Sequence, residues 1–436
     1  KTNSLYGQLN FSYDDFVYLD LTGRNDWSST LAEDNRSYFY PSASLAVLID
    51  RFIDPNKEFL NMLKIRGSWA DVGNDTEPYQ LYQTFSVPTQ GYLGLTVLNG
   101  PAVRLNPDLR PESIQSSEFG VEFNLLDNRL YGDFSVYSIK TTDMIFNVPV
   151  PPGTGFQYFK ENLGTLKNNG IEAVLGGTPV RTENFKWETS VNFSKNENEV
   201  VELIEDLESF ELNTLGSFSA RVVQGEGLGD LYGTTWKTNE NGELLVNGDG
   251  VPLAGEVEKL GNAQPDWIGG FSNTFTYNNW SLRFLVDGRF GGEIYSATSS
   301  YLDAAGVSER SLQYRGDGVV VDAINEETGE QNTETITAQQ YWGAFSGITS
   351  NYIYDQTNVR LREFALNYRF PSGMIEGIGL NQASIGLIGR NLFFFYKDAE
   401  DIDPDSSIGT GLSGQGISLN NAPTLRSLGV NVNIKF

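Results

Sequence analysis

The sequence predicts an all-β protein: a transmembrane antiparallel β-barrel. Three observations carry this. The final twelve residues alternate almost without fault, with Leu428, Val430, Val432, Ile434 and Phe436 on one side and Gly429, Asn431, Asn433 and Lys435 on the other. The same two-residue period recurs along the whole chain, and strands apolar on one face and polar on the other are what a membrane barrel requires. No stretch approaches the roughly 20 apolar residues of a membrane helix, so a membrane reading rests on strands.

About thirteen strands are legible, each near the roughly 9–11 residues a tilted spanning strand needs. They fall at 4–13, 16–26, 39–49, 63–72, 114–125, 129–140, 163–177, 184–197, 267–277, 280–290, 358–370, 379–390 and 425–436. In the second, Val17, Leu19 and Leu21 oppose Tyr18, Asp20 and Thr22. In the eighth, Phe185, Trp187, Val191 and Phe193 oppose Lys186, Glu188, Ser190 and Asn192. In the tenth, Trp280, Leu282, Phe284, Val286 and Phe290 oppose Ser281, Arg283, Asp287 and Arg289. Charge confined to one face implies a wet or protein-filled lumen, with lipid against the other face.

The connections alternate as well. Tyr13-Asp14-Asp15, Leu126-Asp127-Asn128, Pro179 to Glu183, Asn278-Asn279 and Pro371 to Gly377 are short. Between them lie long segments at about 73–113, 141–162, 198–266, 291–357 and 391–424, which places the long loops outside the cell. The link from Asp50 to Met62 contains Asp54-Pro55-Asn56-Lys57-Glu58, a helix start after a proline, expected as a short helix on the periplasmic side. The first strand ends in a short turn and so descends from outside to inside. A single-chain bacterial barrel has an even strand count with both termini inside, so an odd number of strands is expected before Lys1. Thirteen strands by themselves would leave two open edges in lipid, and the chain reads as the C-terminal part of a larger barrel.

Composition agrees. Tyr (21), Phe (27) and Trp (7) suffice for aromatic girdles at two membrane interfaces, and 46 glycines suit tight turns and curved strands. Cysteine and histidine are absent, which excludes disulfides, thiolate nucleophiles, the usual zinc sites and His-based acid–base catalysis. A net charge of −26 argues against a nucleic-acid partner.

Several local runs, taken together, carry a resemblance. They are Asn106-Pro107-Asp108-Leu109-Arg110-Pro111-Glu112; Asn162 to Gly164 with Asn168-Asn169-Gly170-Ile171-Glu172; and Val359-Arg360-Leu361-Arg362-Glu363-Phe364-Ala365-Leu366-Asn367-Tyr368. Gly389-Arg390-Asn391-Leu392-Phe393, Asp403-Pro404-Asp405 and the ending from Pro423 to Phe436 complete the set. In this order the chain resembles the SusC/RagA-type TonB-dependent transporters of the Bacteroidota outer membrane. The resemblance implies a barrel of about 22 strands, with about nine strands, the plug domain and the TonB box upstream of this chain. It also implies a SusD-like surface lipoprotein as a lid and TonB-driven import of an oligosaccharide or peptide. The alternatives are a TonB-dependent siderophore or cobalamin receptor, a passive porin, and a structural surface barrel.

The candidate ligand residues are aromatic. Tyr92, Phe156, Tyr158, Trp236, Tyr301, Tyr341 and Trp342 lie in the expected external loops, where ring faces can stack on sugars or peptide side chains; the competing reading packs them loop against loop. Leu245 to Glu256 partly matches a calcium loop, with Asn247, Asp249, Gly250 and Glu256 in register, but Leu245 occupies the first ligand position and cannot coordinate. A metal-free turn is expected. Asp401, Asp403 and Asp405 are the remaining metal candidates, though Pro404 and the Ser-Gly-rich stretch beyond suggest a loop turn. Residues 201–264 carry twelve Asp or Glu against three Lys or Arg, and 291–357 carry ten against two. Such loops read as a solvated face able to bridge lipopolysaccharide through divalent cations or to repel anions. Carboxylate pairs without a pocket give no ground for glycoside hydrolysis, so neither enzyme activity nor a cofactor is expected.

Overall fold

The computed structural model describes residues 1–54, 56–57, 59–203, 207–399, 401–409, 411 and 413–436. Thirteen long strands run in it: β1 Thr2–Tyr13, β2 Val17–Ser28, β3 Ser37–Leu48, β4 Leu60–Asn74, β5 Glu112–Leu125, β6 Leu130–Pro149 and β7 Tyr158–Arg181. They continue as β8 Phe185–Glu202, β9 Trp267–Tyr277, β10 Trp280–Phe290, β11 Asn358–Arg369, β12 Gln382–Lys397 and β13 Ser427–Lys435. Strand order in the antiparallel sheet follows chain order from β1 to β13, and a two-residue piece, Val103–Arg104, pairs with β7 off that path. The path therefore has two ends, β1 and β13.

The chain divides into two compact units, Lys1–Pro179 with Asn192–Phe210 and Val223–Glu226, and Val180–Val191 with Glu211–Val222 and Gly227–Phe436. In the first, register turns the alternation into rows. Arg66, Gly120, Ser135 and Glu172 stand opposite one another across four strands, and the adjoining row is Ile65, Val121, Phe134 and Ala173. One face is consistently polar and the other apolar. On the apolar face Phe39, Leu45, Trp69, Phe119 and Phe134 stay exposed, a surface that suits lipid rather than water. Tight turns close one end of the strands, with Asp14, Asp15, Asp127 and Asn128 in the left-handed region.

Two expectations are corrected. The segment at 141–162 is not a long loop: β6 and β7 stay paired from Leu130↔Gly177 out to Pro149↔Tyr158. Beyond it one cross-hairpin hydrogen bond remains, from the Val150 N–H to the Gln157 carbonyl at 3.0 Å, before the turn that begins at Pro151-Pro152. The short helix is Asp50–Ile53, one turn before Pro55, and a chain segment before proline is pushed toward extended backbone. Pro55 and Glu58 themselves lie outside the described residues.

The second unit carries β9–β13 and a body built from the long connections. Its core packs Phe218, Ala220, Leu231, Ala263, Tyr295, Ala297, Tyr352 and Ile417. Helix Ala338–Ser346 starts on a capping box, Thr337 accepting the Gln340 N–H while the Gln340 side chain accepts from the Thr337 backbone.

Candidate functional site

On the polar face of the first unit, side chains reach across whole strands. Arg66 on β4 forms two 2.9 Å bonds to Asp133 on β6, and a third contact to Glu118 at 3.3 Å. The guanidinium passes over Gly120 of the intervening strand, where a Cβ would come within 2.6 Å of Arg66 Cζ. Tyr137 repeats the device: its ring lies over Gly170, and its hydroxyl donates to Asn196 Oδ1 at 3.1 Å. Asn196 in turn donates to Asn168 Oδ1 at 3.2 Å. Arg66 and Tyr137 border a cleft of about 540 Å³, with Glu118, Asp133, Ser135 and Glu172 also in its walls. The result is a rigid, water-facing wall of fixed charges and hydrogen-bonding groups.

The run from Asn106 to Glu112 and the Asn162–Gly164 run meet in the same unit. Asn162 accepts the Arg110 N–H at 2.9 Å and donates to the carbonyls of Arg110 and Asp143 at 2.8 and 2.7 Å. Leu109 and Leu163 are fully buried. Gly164 sits at φ +65°, and a Cβ there would lie 2.2 Å from the Glu202 carbonyl. These runs clamp a loop to the strand ends.

In the second unit, β11 holds a bulge. Glu363 pairs with Leu285 and Leu361 with Val286, so Arg362 has no partner on β10. On β12 the extra residues are Asn391 and Leu392, with Asn391 at φ +51°. The bulge brings Arg360, Arg362 and Glu363 to the polar side together. Arg362 contacts Asp287 at 2.5 Å, Asp405 at 3.1 Å and Asn391 Oδ1 at 3.2 Å. Arg360, 1% exposed on its side chain, is ion-paired with Asp405, lies 3.6 Å from Asp403, donates to Thr424 Oγ1 at 2.9 Å and stacks on Phe394 at 4.3 Å. Burial works against the Asp403 carboxylate, but the Thr424 hydroxyl and N–H, the Asp405 N–H and Arg360 outweigh it and hold its pKa below the ordinary value. Two of the three aspartates named as metal candidates thus receive arginine, while Asp401 is exposed.

Three of the seven aromatic candidates come together in the body of the second unit. Tyr341 and Trp342 sit on one helix with rings 5.1 Å apart, and Phe345 lies 5.2 Å from Trp342 and 5.8 Å from Trp236. Trp342 is 6% exposed, and Trp236 donates its indole N–H to Asn351 Oδ1 at 2.8 Å. Arg310 lies over Tyr352 at 5.1 Å and pairs with Asp303 at 2.6 Å, while Tyr352 donates to Asp303 at 2.7 Å. Burial, then Asp303, pushes the Tyr352 hydroxyl pKa upward. Tyr301 is 53% exposed on helix Ala297–Ala304, away from that ring cluster's interior. Tyr92 is 71% exposed; Phe156 and Tyr158 lie at the tip of the β6–β7 hairpin. In the calcium-like stretch, Leu245 and Val246 are buried and pair in parallel with Ile324 and Asn325. Asn247 Oδ1 accepts the N–H groups of Asp249 and Val251 at 3.0 and 2.9 Å, closing a side-chain turn.

Sequence alone does not mark Arg66 or Tyr137, and it marks Arg360 and Arg362 only as members of the run Val359 to Tyr368, not as site residues. Their partners lie 29 to 75 residues away, and only for Arg66 and Tyr137 does a glycine opposite leave a trace in the sequence.

Comparison with known proteins places this arrangement. A family model described as "TonB dependent receptor-like, beta-barrel" matches residues 1–324. The chain is 29% identical to TonB-dependent receptor P26 of Formosa agariphila, over 99% of this chain and 46% of that protein. It is 26% identical to TonB-dependent receptor SusC of Bacteroides thetaiotaomicron, over 67% of this chain and 31% of that protein. The RagAB peptide transporter superposes with a TM-score of 0.80 at 21% identity, across 100% of this chain and 48% of the matched chain, a likeness of fold. The chain spans about half the length, or less, of the curated relatives it matches.

Proposed function

The chain belongs to the TonB-dependent receptor-like β-barrel family, of SusC/RagA type, in the outer membrane, and from that premise we propose that it forms part of the barrel wall of an energised nutrient importer. The polar face would line the lumen or cradle a plug supplied by upstream sequence. The observation that carries this reading is the fixed wall of crossing side chains, Arg66 to Asp133 over Gly120 and Tyr137 to Asn196 over Gly170. A lipid-facing exterior has no use for such a wall. The rest of the barrel, including the strands that cover the edges of β1 and β13, would come from the same polypeptide upstream of Lys1.

In this reading a SusD-like lipoprotein covers the long-loop end, TonB supplies energy through upstream sequence, and the cargo is an oligosaccharide or a peptide. Support comes from family membership and from a relative bearing the SusC name. The test is mass spectrometry of the complex purified from native membranes in mild detergent, paired with nutrient uptake by a deletion strain. Recovery of upstream barrel strands and a surface lipoprotein, with loss of uptake of one nutrient, is expected. Recovery of this segment with neither partner, or uptake unchanged by the deletion, would refute the importer reading.

A further inference from the structure

A second cavity, of about 240 Å³, lies in the second unit beside the end of β10 from which the long connection 291–357 departs. Gln264, Arg289, Gln356, Asp405, Ser407 and Gln415 face it. The carboxamides are fixed by their neighbours: Gln264 donates to Gln415 Oε1 at 2.6 Å, and Gln356 donates to the Pro404 carbonyl at 2.8 Å.

Arg289 is the anomaly. Its Nη2 donates to the Ala263 carbonyl at 2.7 Å and to Gln356 Oε1, both neutral acceptors. Its Nε is buried without a hydrogen-bond partner. Among the described residues no carboxylate forms an ion pair with it. The two acids whose charge reaches it are held elsewhere, Asp405 by Arg360 and Arg362, and Asp355 by the Thr357 N–H at 2.7 Å. A guanidinium drawn out of water is normally matched by an anion, because desolvating an unpaired charge is expensive.

We propose that this cavity binds a carboxylate-bearing group of the imported ligand, with Arg289 as its counter-ion and the Gln356 and Gln415 carboxamides as hydrogen-bonding partners. Both Nη2 hydrogens are committed to the protein, so the guanidinium offers the ligand its charge and one charge-assisted hydrogen bond from the other terminal nitrogen, and the volume suits one sugar ring or one amino-acid residue rather than a larger ligand. The inference rests on the importer reading only in taking that group as cargo. A uronic acid and a peptide C-terminus offer the same chemistry.

The test uses the intact transporter complex in detergent and calorimetric titration with four probes: galacturonate, its methyl ester, acetyl-trialanine and acetyl-trialanine amide. At least one free acid should bind about tenfold more tightly than its neutral twin, as loss of one charge-assisted hydrogen bond implies. Arg289→Gln should erase that preference and Arg289→Lys should keep part of it. The arm that shows it identifies sugar or peptide. Equal binding of acids and their twins, binding of none of the four, or a preference intact in Arg289→Gln would overturn the proposal. The wild-type comparison stands even if the variants fail to fold. Failure of the importer reading would look different: the acid preference would persist while deletion left nutrient uptake unchanged.

Discussion

Asp403 accepts the backbone N–H of Thr424 at 2.8 Å, closing a chain segment of twenty-one positions onto itself just before the last strand. Arg360 grips the same place from β11, through Asp405, Asp403 and the Thr424 hydroxyl. The segment between them also reaches the body core, where Ile417 pairs with Tyr295 and is fully buried. One buried cation therefore fastens the last loop to the sheet.

Arg360→Met should release that loop. Removing one partner of a buried ion pair typically costs about 3–5 kcal/mol, because the remaining charges lose their counter-ion. Amide hydrogen exchange should accelerate at Asp405, Ser406 and Ile408 while the β9–β10 ladder stays protected. Unchanged exchange at those amides would show that Arg360 does not hold the loop.

Asp403 makes the fastening acid-sensitive. Its folded pKa lies below its unfolded value, so its contribution is present above the unfolded pKa and is lost as pH falls through the folded one. Thermal unfolding of the wild type and Asp403→Asn should differ near neutrality and converge as pH drops below the ordinary carboxylate range. A gap that stays constant with pH would contradict this.

Tyr352→Phe should destabilise the body of the second unit by about 1–3 kcal/mol, the usual loss when a buried carboxylate gives up a donor. Arg310 and Ser308 still hold Asp303, at 2.6 and 2.5 Å, so the body should remain folded. The readout is near-ultraviolet dichroism during thermal unfolding, which follows the packed rings around Trp342.

Gly164→Ala places a Cβ against the Glu202 carbonyl on a residue at φ +65°. The left-handed backbone alone costs about 1–3 kcal/mol for a residue other than glycine, before any clash. Reduced heat resistance of the purified barrel on a denaturing gel is the expected outcome. Resistance equal to the wild type would mean that β7 shifts freely at this point.

The strands were legible because a two-sided environment writes itself into every second residue, and all thirteen occur where alternation places them, with ends moved by a few residues or more. The outward run of β6 and β7 was hidden by Pro149, Pro151, Pro152 and Gly153, which read as loop although pairing persists to Pro149. The gathering of Tyr341, Trp342 and Trp236 was beyond reach, since Trp236 and Asn351 come from segments 115 positions apart. The aspartates were visible as a cluster, but their arginine partners sit on another strand, and a cluster of acids looks the same whether a metal or a guanidinium neutralises it.

The unpaired Arg362 also alters how much the strand can encode. A regular strand offers its inner surface every second side chain, so four consecutive positions supply two. The inserted residue lets Arg360, Arg362 and Glu363 all address the interior while Leu361 and Phe364 keep their places outside. Strike Arg362 from the text and Leu361-Glu363-Phe364-Ala365 alternates perfectly. The insertion is a parenthesis in the hydropathy grammar: it adds a third charged word without disturbing the sentence addressed to lipid.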